Sequence, residues 1–278
     1  MREGVILCSL DEFRIHGGRT GGDDGRPFWG RKIGITCSAD ESDLSPLGFS
    51  KDAINDFVID LSRRVIALGG TVVLGHKWHI GGIMEALGKF ALAYKAVNAT
   101  PEAPIVVNYL AHPDAPELSQ TEKVELGNYI RIDSTEWPDH HDASYLPPKG
   151  KPDSKRARDL FANRERLVGE CDARIVIGGR PTSSTRSVSG VLEESWLALK
   201  REKLLICSTG FNGMAKKIAE TKSGREVVAG TKVKRDQDYL DEMGGLVRRA
   251  KDKGLFLETK EFAVGALIKL LDEKLTPA

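Results

Sequence analysis

The chain has 278 residues, long enough to bury a large core in one elaborated domain, and its 41 Lys and Arg against 40 Asp and Glu leave a formal net charge of +1. That balance excludes a global field of the kind that draws in nucleic acid or an anionic membrane, so a DNA-binding role would need a local basic patch. The four cysteines (Cys8, Cys37, Cys171, Cys207) lie far apart without C-x-x-C spacing and no run approaches a membrane span, so the expectation is a cytoplasmic protein with buried thiols and no disulfide, metal site or membrane partner.

In chain order, "HGGRTGGDDGRP" at 16–27 holds five glycines and mixed charge, a composition that reads as a mobile loop. Residues 1–30 are therefore expected as an N-terminal extension and 31–278 as a single domain. "RKIGITCSAD" (31–40) is an apolar run ending in small polar residues, as a parallel strand does where it stops at a functional loop. Ser50 is an N-cap candidate, and Ile54, Phe57, Val58, Leu61 and Val65 recur at helical spacing until Gly69 and Gly70. The unit repeats: strand 71–75, helix 81–96, strand 104–110, a weaker strand 128–133, a loop from 138 to 152, helix 154–172, strand 174–178, a helix from Gly190, strand 203–208 and a helix near 210–220. The stretch 236–275 reads as one or two further helices. Strands alternating with helices of this length predict an α/β fold, a Rossmann-like three-layer sandwich whose mostly parallel sheet has five or more strands.

In such a sheet ligands bind beyond the carboxyl ends of the strands. Three expected strands end in loops that place Gly, Ser or Thr beside a helix N-terminus, where free N–H groups and the helix dipole favour an anion. The loops contain Ser38; then Gly75, His76, Lys77, Gly81 and Gly82; then Gly178, Gly179, Arg180, Ser184, Thr185, Arg186, Ser189, Gly190 and Glu194. Hydroxyls and arginines in "GGRPTSSTRSVSG" would grip phosphate or ribose, with Gly190 allowing close approach. Duller roles exist for each. The glycines serve as tight turns, Glu193 and Glu194 as first-turn acids that favour the dipole, and the arginines as solvated charges. Trp78 in "HKWHI" is a candidate for stacking on a base or for loop packing, while two histidines three apart there, and "DHHD" at 139–142, are poor evidence for a metal.

"VVLGHKWHIGGIMEAL" followed by "ARIVIGGRPTSSTRSVSGVLEESWLAL" resembles the SLOG superfamily, the Rossmann-like group that includes the LOG phosphoribohydrolases, the DprA/Smf proteins and the amino-terminal domains of TRPM channels. The "GFS" after the first strand, "NYLAHP" and the order "GGR…GVLEE" look like the stand-alone prokaryotic SLOG clusters associated with nucleotide-signalling defence, over roughly 31–215. The resemblance implies a nucleotide-derived ligand, ADP-ribose-like, cyclic ADP-ribose-like or a nucleoside phosphate. It also implies an antiviral sensor role with a homo-oligomer or an effector protein as partner, and no cofactor is expected. The compact P-G-G-x-G-T-x-x-E signature of LOG enzymes is broken here, since the glycine that should follow the Gly178–Gly179 pair is not reached until Gly190. Binding without turnover therefore stands against N-glycoside hydrolysis, in which Glu193 or Glu194 would be catalytic, or the acidic cluster Asp40, Glu41 and Asp43 would supply the carboxylate. A DprA-like nucleic-acid binder is a third alternative, disfavoured by the neutral charge.

Overall fold

A computed structural model of the chain describes residues 26–38, 41–78, 81–97, 103–112, 114, 118–127, 129–135, 155–180, 188–221 and 234–275. Seven strands form one parallel sheet: β1 (Lys32–Ser38), β2 (Thr71–Leu74), β3 (Val106–Ala111), β4 (Ile130–Thr135), β5 (Ala173–Gly178), β6 (Leu204–Ser208) and β7 (Phe256–Thr259). The described helices are α1 (Glu41–Leu44), α2 (Lys51–Ala67), α3 (Ile83–Val97), α4 (Gln120–Leu126), α5 (Lys155–Gly169), α6 (Gly190–Lys200), α7 (Gly213–Glu220), α8 (Lys234–Asp252) and α9 (Val264–Leu275).

The spatial order β4-β3-β2-β1-β5-β6-β7 explains the strand composition. The central strands have helices on both faces, so β3, β5 and β6 are buried at every position and read as continuous apolar runs. On one face α2, α3, α4 and α9 bury Ile54, Leu61, Met84, Leu87, Leu126, Leu267 and Leu271 in one cluster with inward residues of β1, β2, β3, β5 and β6. On the other, α5 to α8 bury Phe161, Leu192, Trp196, Met214, Tyr239 and Met243 against β3, β5 and β6. Neighbours in the sheet follow one another in sequence outward from β1 on one side and from β5 on the other, so the winding reverses between β1 and β5. The crevice at such a reversal is where ligands sit in open parallel sheets.

The expected fold is observed, and the five main strands lie within about two residues of their expected bounds. The C-terminal region differs. Between α8 and α9 the chain forms β7, in register with β6 from Leu205↔Phe256 to Ser208↔Thr259. Four residues at a sheet edge, of which only Phe256 is buried, give too short a pattern to separate from the flanking helices. Ser50 caps α2 in position only, with an extended backbone and no side-chain hydrogen bond. Phe28, ahead of the expected domain start, is fully buried and its N–H donates to Leu68 O at 2.9 Å. The glycine-rich stretch before residue 26 and the loop 138–152 lie outside the described residues.

Candidate functional site

At the β1/β5 reversal the chain forms a tight joint. Gly178 and Gly179 both have positive φ, +62° and +105°, and a Cβ on Gly178 would lie 2.6 Å from Ser38 O. The Gly179 N–H donates to Ser38 O at 2.7 Å, the Arg180 N–H donates to Ser38 Oγ at 3.0 Å, and the Met214 N–H donates to Gly179 O at 2.8 Å. Gly213 completes the joint at φ +67°, where a Cβ would come within 2.5 Å of Gly179 O. Three elements are thus stitched together by their own backbone groups. The N–H groups of Gly179 and Arg180 are occupied within the protein, so these glycines act here as a close-approach turn. Any anion at this place must be held by other donors, among them the uncapped N-terminus of α6.

One strand over, Cys37 Sγ lies 3.4 Å from His76 Nε2. Burial, with the nearby Glu194 carboxylate adding to it, pushes the Cys37 thiol up to about 12, so it stays a neutral thiol rather than a nucleophile. The fully buried Asn108 holds the backbone of His76 from both sides, accepting from its N–H at 3.0 Å and donating to its O at 2.8 Å. Further along the same edge, Arg156 donates to Ala111 O at 3.1 Å and His112 O at 2.7 Å and pairs with Asp114 at 2.6 Å. Lys77 pairs with the same carboxylate at 3.1 Å. Burial alone would raise the Asp114 carboxyl, but Arg156 and Lys77 outweigh it and hold it below the ordinary carboxylate range.

Beneath the joint is a buried ionic cluster. Arg174 enters the second layer from the interior of β5 and is only 1% exposed. Its guanidinium bonds Glu194 and Thr36, and Thr36 also donates to Glu194. The side chain lies over Gly34, its register partner on β1, where a Cβ would come within 2.2 Å of its Nη1. Arg164 of α5 pairs with Glu193, bonds Val188 O at 3.4 Å and stands 4.0 Å from Glu194. Burial opposes the charge on Arg164, yet the two carboxylates dominate and raise its proton affinity further. The Tyr239 hydroxyl of α8 donates to Glu193 at 2.8 Å. Two arginines therefore face two carboxylates, and α6 turns its acidic first turn inward.

The expected site residues divide accordingly. Ser38, Gly178, Gly179 and Arg180 come together at the joint, and His76 is linked to it through Cys37. Gly75 begins the loop after β2, over Asn163 of α5, with Lys77 beyond it. Gly81 and Gly82 stand at the N-terminus of α3, where the Gly81 N–H donates to Glu85 Oε2 at 2.6 Å. Ser189 and Gly190 open α6, with the Arg164 guanidinium 3.1 Å from where a Gly190 Cβ would be. Ser184, Thr185 and Arg186 lie outside the described residues, as do Asp40 and the "DHHD" stretch. Trp78 is not an exposed stacking surface: it is 6% exposed and its ring lies over Gly88 of α3, where a Cβ would meet it at 2.9 Å. No group of three metal-binding side chains is found among the described residues. Thr36, Asn108, Asn163, Arg164, Arg174 and Tyr239 were not expected. Two of them carry a legible signal: Arg174 is a charge inside an apolar strand, and Asn163 falls between Leu160 and Leu167 at the spacing of the apolar positions of α5.

Residues 27–254 match SLOG cluster2. The chain belongs to this family. Membership puts the SLOG chain on a fold for binding or hydrolysing nucleotide-related ligands. No curated protein matches it. Among solved structures it is similar to TM1055, a structural-genomics target, at 15% identity over 87% of this chain and 99% of that one, with a TM-score of 0.46. It is also similar to DNA processing protein A from Helicobacter pylori, a single-stranded DNA binder, at 13% identity over 88% and 81% of the two chains, with a TM-score of 0.40. At these values neither neighbour's activity carries over to the SLOG chain. No described helix is long and apolar enough to cross a membrane.

Proposed function

We propose that this SLOG protein binds a nucleotide-derived ligand of the ADP-ribose, cyclic ADP-ribose or nucleoside phosphate kind at the carboxyl edge of the sheet, and reports it as a sensor in prokaryotic nucleotide signalling or antiviral defence. The observation that carries binding over turnover is the inward position of Glu193 and Glu194, at 3% and 6% exposure, each already engaged by an arginine and a hydroxyl. A glycosidic hydrolase needs a carboxylate free to meet the developing oxocarbenium charge or a water. With both acids withdrawn, the edge presents Arg180, Lys77, the N-terminus of α6 and polar side chains to an anion. The partner is a small molecule, with a second copy or an effector protein receiving the signal.

Calorimetry against ADP-ribose, cyclic ADP-ribose, NAD and AMP, with chromatography of the incubated mixtures, tests this. The expected result is binding of at least one compound with no release of base. Arg180→Ala should weaken it by about 1.5–3 kcal/mol, roughly ten- to a hundredfold, as loss of a charge-assisted contact does. Release of base by the wild type, abolished in Glu193→Gln, would establish the hydrolase instead. Absence of binding to all four at millimolar concentration would end the nucleotide reading.

A further inference from the structure

The loop after β2 covers a side chain whose polar capacity is largely unused. Asn163, on the buried face of α5 and 5% exposed, carries two donor hydrogens and two acceptor lone pairs on its carboxamide. The structure gives it one hydrogen bond, a long one of 3.4 Å from Nδ2 to Tyr109 O. Its Oδ1 is buried with no partner among the described atoms. The reverse orientation of the amide would set Oδ1 against the Tyr109 carbonyl, so Nδ2 faces that carbonyl and Oδ1 points away from it. Buried carboxamides are ordinarily satisfied, and an orphaned oxygen calls for a donor that the fold itself does not supply.

The surroundings are arranged around that oxygen. Gly75 lies against the same carboxamide, where a Cβ would stand 3.9 Å from Asn163 Nδ2 and 3.0 Å from Leu167 Cδ1, so a side chain at this position would add bulk between the carboxamide and the sheet edge. The neighbouring residue His76 is fixed on both sides by Asn108, which holds the loop start in place. Gly75 directly follows β2 and Gly179 directly follows β5, and with β1 between these strands the two positions stand about 10 Å apart across the sheet at the usual strand spacing.

We propose that Asn163 is a specificity-determining residue of the site: its Oδ1 accepts a hydrogen bond from an O–H or N–H of the ligand lodged over Gly75, while the anionic part of the same ligand lies at the β1/β5 joint. This rests on the nucleotide reading above and sharpens it. The ligand must carry a hydrogen-bond donor roughly 10 Å from its phosphate, the reach of an extended nucleotide such as ADP-ribose. Inorganic phosphate and ribose 5-phosphate are too short to fill both places.

The test is calorimetry of ADP-ribose, AMP, ribose 5-phosphate and inorganic phosphate against the full chain and two variants. Asn163→Ala removes the acceptor. Gly75→Ala keeps it and fills the approach, displacing only the end of the Leu167 side chain. Both should weaken ADP-ribose binding about five- to thirtyfold, the size expected for one buried hydrogen bond, and should leave inorganic phosphate unchanged. Arg180→Ala serves as the contrast, weakening every phosphate compound. If the wild type binds ADP-ribose and both variants bind it equally well, Asn163 reads nothing of the ligand and the inference fails while the nucleotide reading stands. If the wild type binds none of the four probes, both fall. Should Asn163→Ala fail to fold, Gly75→Ala alone decides the matter.

Discussion

The β1/β5 joint and the β2/β3 side of the same sheet edge are built on opposite terms. At the joint, Ser38, Gly179, Arg180 and Met214 satisfy one another, and three left-handed glycines let the backbones close to contact. On the other side Asn163 sits under Gly75 with most of its hydrogen-bonding capacity idle. The joint looks like a phosphate cradle in sequence because Gly-Gly-Arg after a strand is what such cradles use. In space it is the fastening that fixes where the loops begin. A polar group that is buried and unserved is stronger evidence for a ligand than a glycine already occupied with its neighbours, because the first costs about 1–3 kcal/mol until something answers it.

The sharpest way to break the fastened side is from below. Arg174→Ala leaves Glu194 buried without its guanidinium, and removal of one partner from a buried pair costs about 3–5 kcal/mol. For a chain of this size that lowers the melting temperature by about 2–4 °C per kcal/mol, so a fall of roughly 6–20 °C is expected in thermal unfolding. The double variant Arg174→Met with Glu194→Leu removes both charges and should recover much of that loss, whereas a simple packing role for Arg174 would leave the double variant no better than the single one.

That cluster also marks the boundary of what the sequence discloses. The alternation of apolar runs and amphipathic helices is local, so β1 to β6 and most helices could be read directly, and strand ends identified the functional edge through the general rule for parallel sheets. Which atoms at the edge are occupied is not local. Glu193 and Glu194 look like ordinary first-turn acids of α6, and nothing near them in the chain announces Arg164 thirty residues earlier or Tyr239 on α8. The Gly34–Arg174 pairing needed the β1/β5 register, and β7 was hidden between helices of stronger period. Trp78 shows the converse error: its loop position suggested a surface, while the glycine that receives its ring lies one helix away in Gly88.

A second break acts on the joint itself. Gly213→Ala forces a methyl into 2.5 Å of Gly179 O and 2.8 Å of Gly178 C at φ +67°, and both obstacles are backbone. The strained conformation plus the clash should cost about 2–3 kcal/mol, read as a loss of denaturant midpoint at unchanged slope. Gly190→Ala is the matched control. Its methyl meets no backbone, only the guanidinium of Arg164 at 3.1 Å, which needs to give by a few tenths of an ångström, so it should cost less than half as much.

The open side responds in the other direction. Asn163→Leu replaces the orphaned carboxamide by an apolar group of similar shape on the buried face of α5, in the layer that holds Leu167, Phe161 and Val73, so stability should stay level or rise by about 1 kcal/mol while ADP-ribose affinity falls. A clear loss of stability would mean that the carboxamide is held by the fold after all, through water for instance, and is no ligand contact.

The smallest effect expected is at the rim, where Lys77 and Arg156 share Asp114. The Asp114 carboxyl is held below its unfolded value, so its contribution is complete above about pH 4, the unfolded carboxylate range, and is lost as the pH falls through the lower folded value. Asp114→Asn should therefore reduce stability modestly at neutral pH and progressively less as the pH falls, so that the two unfolding curves converge on acidification. Lys77 is 69% exposed at its side chain, and its half of the contact is screened by solvent, so Lys77→Ala should barely move the curve. Arg156, which also bonds the carbonyls of Ala111 and His112, is the partner whose loss should reproduce the Asp114→Asn result and exceed it. Equal effects from the two cations would show that the loop ends are held by charge alone rather than by the carbonyl bonds of Arg156.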